Sequence, residues 1–210
     1  MHLSTLIKGS SVFDFSSQVD ESSVATLRQW LMKQCQAGTK KVVIMLSTVG
    51  GNAYEAFGAY DTIQALAASG MEIRIVATGR CMSAGTLIIT AVEQKFRHAT
   101  PNARLLTHCV GITTDDQRIE CPVSSNPELA RAVQDYTGMP IVEACALQDR
   151  LIELLVAGTH LSREEVFVLL RKESYFWPDK ALEYGLIGSI LDPNDVVPSS
   201  KKRPWYKWRR

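Results

Sequence analysis

The five cysteines, Cys35, Cys81, Cys109, Cys121 and Cys145, are odd in number, widely spaced and free of any Cys-x-x-Cys pair. This excludes a disulfide framework and a paired-cysteine zinc site, and it fits a reducing, cytoplasmic setting. No apolar run approaches the ~20 residues that cross a bilayer, and the opening MHLSTLIKGSS lacks the continuous apolar core of a signal peptide. The chain is therefore expected to be soluble and unprocessed. His2, His98 and His160 have no metal-ligating neighbours in sequence, so no metal or other cofactor is expected. Charge of one sign is also lacking, since the net value is +1. Six of the 23 basic residues crowd into the last ten positions, KKRPWYKWRR, which leaves the rest at about −5. Apart from this tail, residues 194–210 with Trp205, Tyr206 and Trp208, nothing signals nucleic acid or membrane, and the tail reads as a solvated appendage.

What is present is a core. A hydrophobic content of 46% in 210 residues suffices for one large domain. Residues 41–46 are a β-branched run ending in the turn Ser47-Thr48-Val49-Gly50-Gly51-Asn52. Ala53, Ala56, Phe57, Tyr60, Ile63 and Ala67 follow at helical spacing and stop at Ser69-Gly70, and residues 72–78 read as a second strand. Strand, helix and strand form a right-handed βαβ unit with parallel strands, which places loops at the strand ends as the natural site. Gly79 to Gly85 breaks the second strand, an apolar helix continues over residues 86–96, and residues 103–107 form a third strand. Residues 109–126 read as a loop or hairpin-like excursion. Asn126-Pro127 caps a helix to about Tyr136, a second helix spans 141–157, and Ser162 with Glu165 is a capping box opening a third. A short helix over 178–184 and a closing strand over 186–191 complete the pattern.

Three strand ends therefore carry a glycine pair, Gly50-Gly51, a serine, Ser83, and a histidine, His108. A serine hydroxyl needs a base to take its proton, and the tetrahedral intermediate it forms needs amide donors. Ser83 falls at a helix amino terminus with Ala84 and Gly85 beside it, where free amides face a developing anion. Taken singly, Ser83 is equally a helix cap, His108 a strand-end histidine and Gly50-Gly51 a tight turn. Cys81 and Cys109 flank the site as small packing residues.

On these residues the chain resembles the proteolytic subunit of the Clp protease, the ClpP family of the ClpP/crotonase fold. VDESS at 19–23, STVGG at 47–51, GRCMSAG at 79–85, PNARLLTH at 101–108 and ALEYGLIGSIL at 181–191 each resemble a family segment, in the family's order. The resemblance implies an α/β fold of repeated β-β-α spiral units with a helical handle region. It implies a peptidase domain over 12–193, preceded by a short segment, 1–11, with an expanded handle over 109–148. It also implies Ser83 as nucleophile, His108 as general base, the amides of Gly51 and Ala84 as oxyanion hole, and Gly50 and Gly51 as the backbone that meets an extended polypeptide substrate. The family's acid is an aspartate; counting back from Tyr184-Gly185-Leu186 places Glu173 there, so the implied triad is Ser-His-Glu. Val49 stands where the family has proline.

The implied assembly is a homo-oligomeric ring, with stacked heptamers as the family pattern. The short amino terminus argues against docking an AAA+ unfoldase, and the expanded handle argues for altered stacking. The reading is a self-compartmentalising serine endopeptidase. Two others stand beside it: a catalytically silent ClpP-like structural or binding subunit, which the glutamate would suit, and a crotonase-type acyl-CoA enzyme, which would share the two-amide oxyanion hole without requiring Ser83 and His108.

Overall fold

The computed structural model describes residues 2–113, 118–120 and 141–191. The helix expected to end near Tyr136, most of the handle region and the basic aromatic tail lie outside the described residues. A seven-stranded sheet forms the frame, with the order β1 (Ser11–Phe15), β2 (Lys41–Thr48), β3 (Glu72–Met82), β4 (Arg97–Ala99) and β9 (Ser189–Ile190), all parallel. β5 (Arg104–Thr107) runs parallel to the far end of β3 and antiparallel to β8 (Ser174–Phe176). β6 (Gly111–Thr113) and β7 (Arg118–Glu120) make the hairpin expected within residues 109–126.

The helices are α1 (Leu3–Ile7), α2 (Glu21–Gln36), α3 (Ala53–Ala68), α4 (Ala84–Ile89), α5 (Ile141–Gly158), α6 (Arg163–Arg171) and α7 (Pro178–Glu183). Local chemistry starts them. Asp20 accepts from the Ser23 amide while Ser23 accepts from the Asp20 amide, and Ser162 and Glu165 form the same reciprocal cap on α6. Each such cap is worth about 1 kcal/mol.

The strand over 41–46 reads as continuously apolar because both of its faces are covered. Ile44 and Leu46, with Phe15, Ile75 and Ala77, belong to the main core, which includes Val24, Leu27 and Leu31 of α2, Ala59 and Ile63 of α3, and Leu87 and Ile88 of α4. Val43 and Val76 face the other way, against Leu6 of α1 and Leu191. The first eleven residues thus contribute a buried leucine to the domain.

Three expectations need correction. The second strand does not break at Gly79 but continues to Met82. Between Leu46 and Thr48 the β2–β3 register shifts, so that Leu46 faces Ala77 while Thr48 faces Cys81. This irregularity turns β3, whose first half pairs with β4 and whose second half pairs with β5. The apolar helix after Ser83 ends at Ile89, where the Thr90 hydroxyl bonds back to the Leu87 carbonyl, and a 3-10 turn (Gln94–Phe96) and β4 follow. The closing strand shrinks to the two residues of β9.

β4 carries two buried polar side chains. Arg97 donates from Nε to the Val92 carbonyl at 2.6 Å, from one terminal nitrogen to Thr90 at 3.1 Å, and from the other to Gly158 and Gly185. Burial lowers its pKa to about 10, so it remains a cation at neutral pH. His98 is fully buried, with Nδ1 2.8 Å from the Ser189 hydroxyl on the neighbouring strand. Burial first, then Arg74, pushes its pKa down from 6.5 to about 4, so the folded protein holds a neutral ring. The unfolded chain takes up that proton near pH 6.5. Stability from this group is therefore complete above about 6.5 and is lost as pH falls towards 4. Urea unfolding at about pH 7 and pH 4.5 is expected to show a loss of roughly 2 kcal/mol that His98→Gln does not share.

Candidate active site

The first wall of the site is the turn after β2. The Thr48 hydroxyl, itself buried, accepts from the Gly50 amide at 3.1 Å. Val19 then pairs with Gly51 as a lone parallel bridge: its amide donates to Gly50 and its carbonyl accepts from Asn52, both at 2.8 Å. In a parallel bridge the central residue's own N–H and C=O face the opposite side, so the Gly51 amide is turned away from Val19. Gly51 has a φ of +152°, and a Cβ there would lie 2.1 Å from the Val19 carbonyl oxygen, so only glycine allows this approach. Asn52 caps α3 by accepting from the Tyr54 and Glu55 amides.

Ser83 ends β3 at the bend into α4. Its backbone has φ +54° and ψ −119°, a region costly for any residue with a side chain, at about 1–3 kcal/mol. Its amide donates to the Leu106 carbonyl at 2.8 Å and its carbonyl accepts from the Thr86 amide, so both sides of the strained turn are pinned. Ala84 opens the helix, where first-turn amides have no intrahelical acceptor. The strain and the pinning hold a serine side chain on a sharp strand-to-helix turn, the kind of turn that exposes a nucleophile.

His108 follows β5 and is 8% exposed. Its Nδ1 lies 2.5 Å from the Cys109 carbonyl oxygen, which can only accept, so Nδ1 carries the proton and Nε2 of the neutral ring is the acceptor. Ser83, His108, Gly50, Gly51 and Ala84 all line one cleft of about 560 Å³. Its floor is apolar, built from Phe57 and Leu87, from Leu147, Leu151 and Leu155 along one face of α5, and from Leu170 of α6. The leucines recur every four residues in the sequence; this marked a helix but gave no sign of what its face would cover. The adjacent Cys81 thiol is buried in the core, and burial pushes its pKa up to about 12, which leaves it inert as a nucleophile.

Glu173 stands apart from that cleft. The β5–β8 register ends with Thr107 opposite Ser174, and Glu173 is the residue immediately before β8. Arg104 fixes this pairing by stacking its guanidinium over Trp177 at 4.5 Å and over Tyr175 at 5.7 Å. Yet Glu173 is exposed, has φ +48°, donates its amide to the Leu170 carbonyl and is not among the residues lining the cleft. Among the described residues no group of three His, Cys, Asp or Glu side chains is placed to hold a metal. No helix among them is long and apolar enough to cross a membrane.

Comparison with known proteins bears on the whole of this arrangement. The chain is 23% identical over 189 residues to the ATP-dependent Clp protease proteolytic subunit of Deinococcus radiodurans, covering 90% of this chain and 83% of that one. It is 23% identical over 190 residues to the chloroplastic ATP-dependent Clp protease proteolytic subunit 4 of Arabidopsis thaliana, of which it spans 56%. Its fold matches a ClpP1 mutant from Listeria monocytogenes with a TM-score of 0.67 at 18% identity, covering 91% of this chain and 96% of that one. The largely parallel sheet with its packed helices is thus the ClpP fold. The model of the Clp protease family matches residues 2–194, and the chain belongs to that family.

Proposed function

We propose that the chain is a serine endopeptidase that hydrolyses peptide bonds within a self-compartmentalising homo-oligomeric ring. The observation that carries this reading is the convergence on one cleft of a strained Ser83, a His108 with its proton on Nδ1, and the Gly50-Gly51 turn. Ser83 Oγ attacks the scissile carbonyl as His108 Nε2 takes its proton, and the oxyanion is met by the amides of Gly51 and Ala84. His108 then returns the proton to the leaving amine, and a water repeats the sequence to free Ser83. An extended polypeptide lies along the glycine turn through its backbone, and the leucine-lined floor favours a large apolar residue before the scissile bond. A reducing, cytoplasmic setting is part of the proposal and is supported by the free thiols of Cys35, Cys81 and Cys145.

The Cys109 carbonyl already sets the tautomer that a general base needs. We assign Glu173, the residue just before β8, the remaining task of stabilising the imidazolium. Its exposure supports a second reading, a silent family member kept for assembly.

Fluorophosphonate labelling read by intact mass separates the two. The enzyme is expected to give one adduct per chain, absent in Ser83→Ala and in His108→Ala. Glu173→Gln is expected to slow labelling roughly tenfold, about 1.4 kcal/mol of imidazolium stabilisation, with Glu173→Asp restoring it. No adduct in folded, assembled protein would favour the silent subunit.

A further inference from the structure

α5 walls two cavities. Leu147, Leu151 and Leu155 face the cleft of Ser83, whereas Cys145, Gln148, Asp149 and Ile152 face a second groove of about 530 Å³, closed on its far side by Arg163 and Phe167 of α6. Gln148 connects the two. It is only 4% exposed, and its Oε1 accepts from the Val110 amide at 2.7 Å, two residues beyond His108. Its Nε2 is buried and has no acceptor among the described residues. A buried amide nitrogen left unpaired is costly, so a residue in the groove's wall carries an unspent donor on a side chain already tied to the histidine segment.

We infer that this groove is a second ligand site, for a small neutral molecule with an apolar body and a carbonyl or carboxamide oxygen, and that its occupancy is felt at His108 through Gln148. The apolar body matches Ile152 and Phe167, and the oxygen matches Nε2. Neutrality follows from the charges already present. Arg163 is held by Asp149 at 2.7 Å, and Glu164 adds a further carboxylate to the lining, so an anion would find no free cation among the described lining residues. A ligand accepting from Nε2 fixes the amide plane, which holds Oε1 on Val110 and with it the chain entering and leaving His108. The coupling runs through one side chain with two hydrogen-bonding ends, which makes it testable by removing either end. The effect on catalysis, but not the site itself, rests on the serine reading above.

Cys145 lies one turn from Gln148 on the same face and gives a means of delivery. In a Cys35→Ser, Cys121→Ser background, with Cys81 and Cys109 buried, Cys145 is alkylated with iodoacetamide, placing a carboxamide in the groove. As a control it is capped with propyl methanethiosulfonate, which fills similar space without a carbonyl. Hydrogen exchange at the Val110 amide is then measured on the full-length protein. The carboxamide adduct is expected to slow exchange about fivefold relative to the propyl adduct, the worth of one hydrogen bond, with no difference between adducts in Gln148→Leu. Equal exchange in the two adducts, or a difference that persists in Gln148→Leu, would overturn the inference. Fluorophosphonate labelling of the same samples separates the claims: a Val110 response without any Ser83 adduct sinks the serine reading alone, and normal Ser83 labelling without a Val110 response sinks the groove alone.

Discussion

Alanine at Gly50 is expected to slow acylation of Ser83 by at least about 100-fold while the chain still folds. A Cβ built on Gly50 would stand 2.5 Å from the Ser83 Cβ, and 2.9 Å from both Ser83 Oγ and the Met82 carbonyl oxygen. Those contacts cannot relax cheaply. Ser83 is held by the hydrogen bond from its amide to the Leu106 carbonyl and by its unusual backbone angles, and Met82 of β3 is paired with Leu106, so the added methyl displaces the Ser83 hydroxyl or the glycine turn. A displacement near 1 Å is enough for the predicted loss, because the proposed attack needs the Ser83 hydroxyl and its oxyanion amides in register. Stability is expected to fall by about 1–3 kcal/mol from the positive φ at Gly50, far too little to mimic the kinetic effect in a well-folded chain. Fluorophosphonate labelling rates beside thermal melts test this. Labelling within threefold of the parent would mean that the turn does not position Ser83.

The second large effect concerns stability. Arg97→Leu is expected to cost about 3–5 kcal/mol, seen as a fall in Tm of roughly 10 °C for a chain of this size. The guanidinium satisfies carbonyls at Thr90, after α4, at Gly158, the end of α5, and at Gly185, after α7, as well as Val92 in the intervening turn. Among the described residues no carboxylate pairs with it, so removing it strands no opposite charge among them. What it strands is a set of acceptors at helix ends, those of Thr90 and Gly185 buried. Arg97→Lys is expected to recover only part of the loss, since one ammonium cannot reach carbonyls spread around a planar fork. A loss below about 1 kcal/mol for Arg97→Leu would show that those carbonyls find other donors.

Much of this architecture could be read from the sequence, for physical reasons. β2 and α3 were legible because their apolar residues recur at the period of a strand buried on both faces and of an amphipathic helix. The Ser162–Glu165 cap was legible because it is local chemistry. The helix after Ser83 was overrun because residues 86–92 are apolar on every side, so no period marks its end. β4, β8 and β9 span two or three residues each and exist only through their partners. Within the site, the Gly51, Ser83 and His108 positions follow from three strand ends on one edge of a parallel sheet. The exposure of Glu173 does not follow, because its direction is set by a backbone conformation, φ +48°, that counting residues does not reveal. Arg97 and His98 were equally hidden: an arginine and a histidine in a short polar stretch give no sign that both will be buried.

The antiparallel joining of β5 to β8 sets an order of events during synthesis. Ser83 and the glycine turn belong to the amino-terminal half of the chain, but the strand bearing His108 gains its second neighbour only from residues 174–176. A nascent chain emerging amino terminus first therefore carries Ser83 and the glycine turn well before it carries residues 174–176, and the segment leading into His108 waits for its second neighbour.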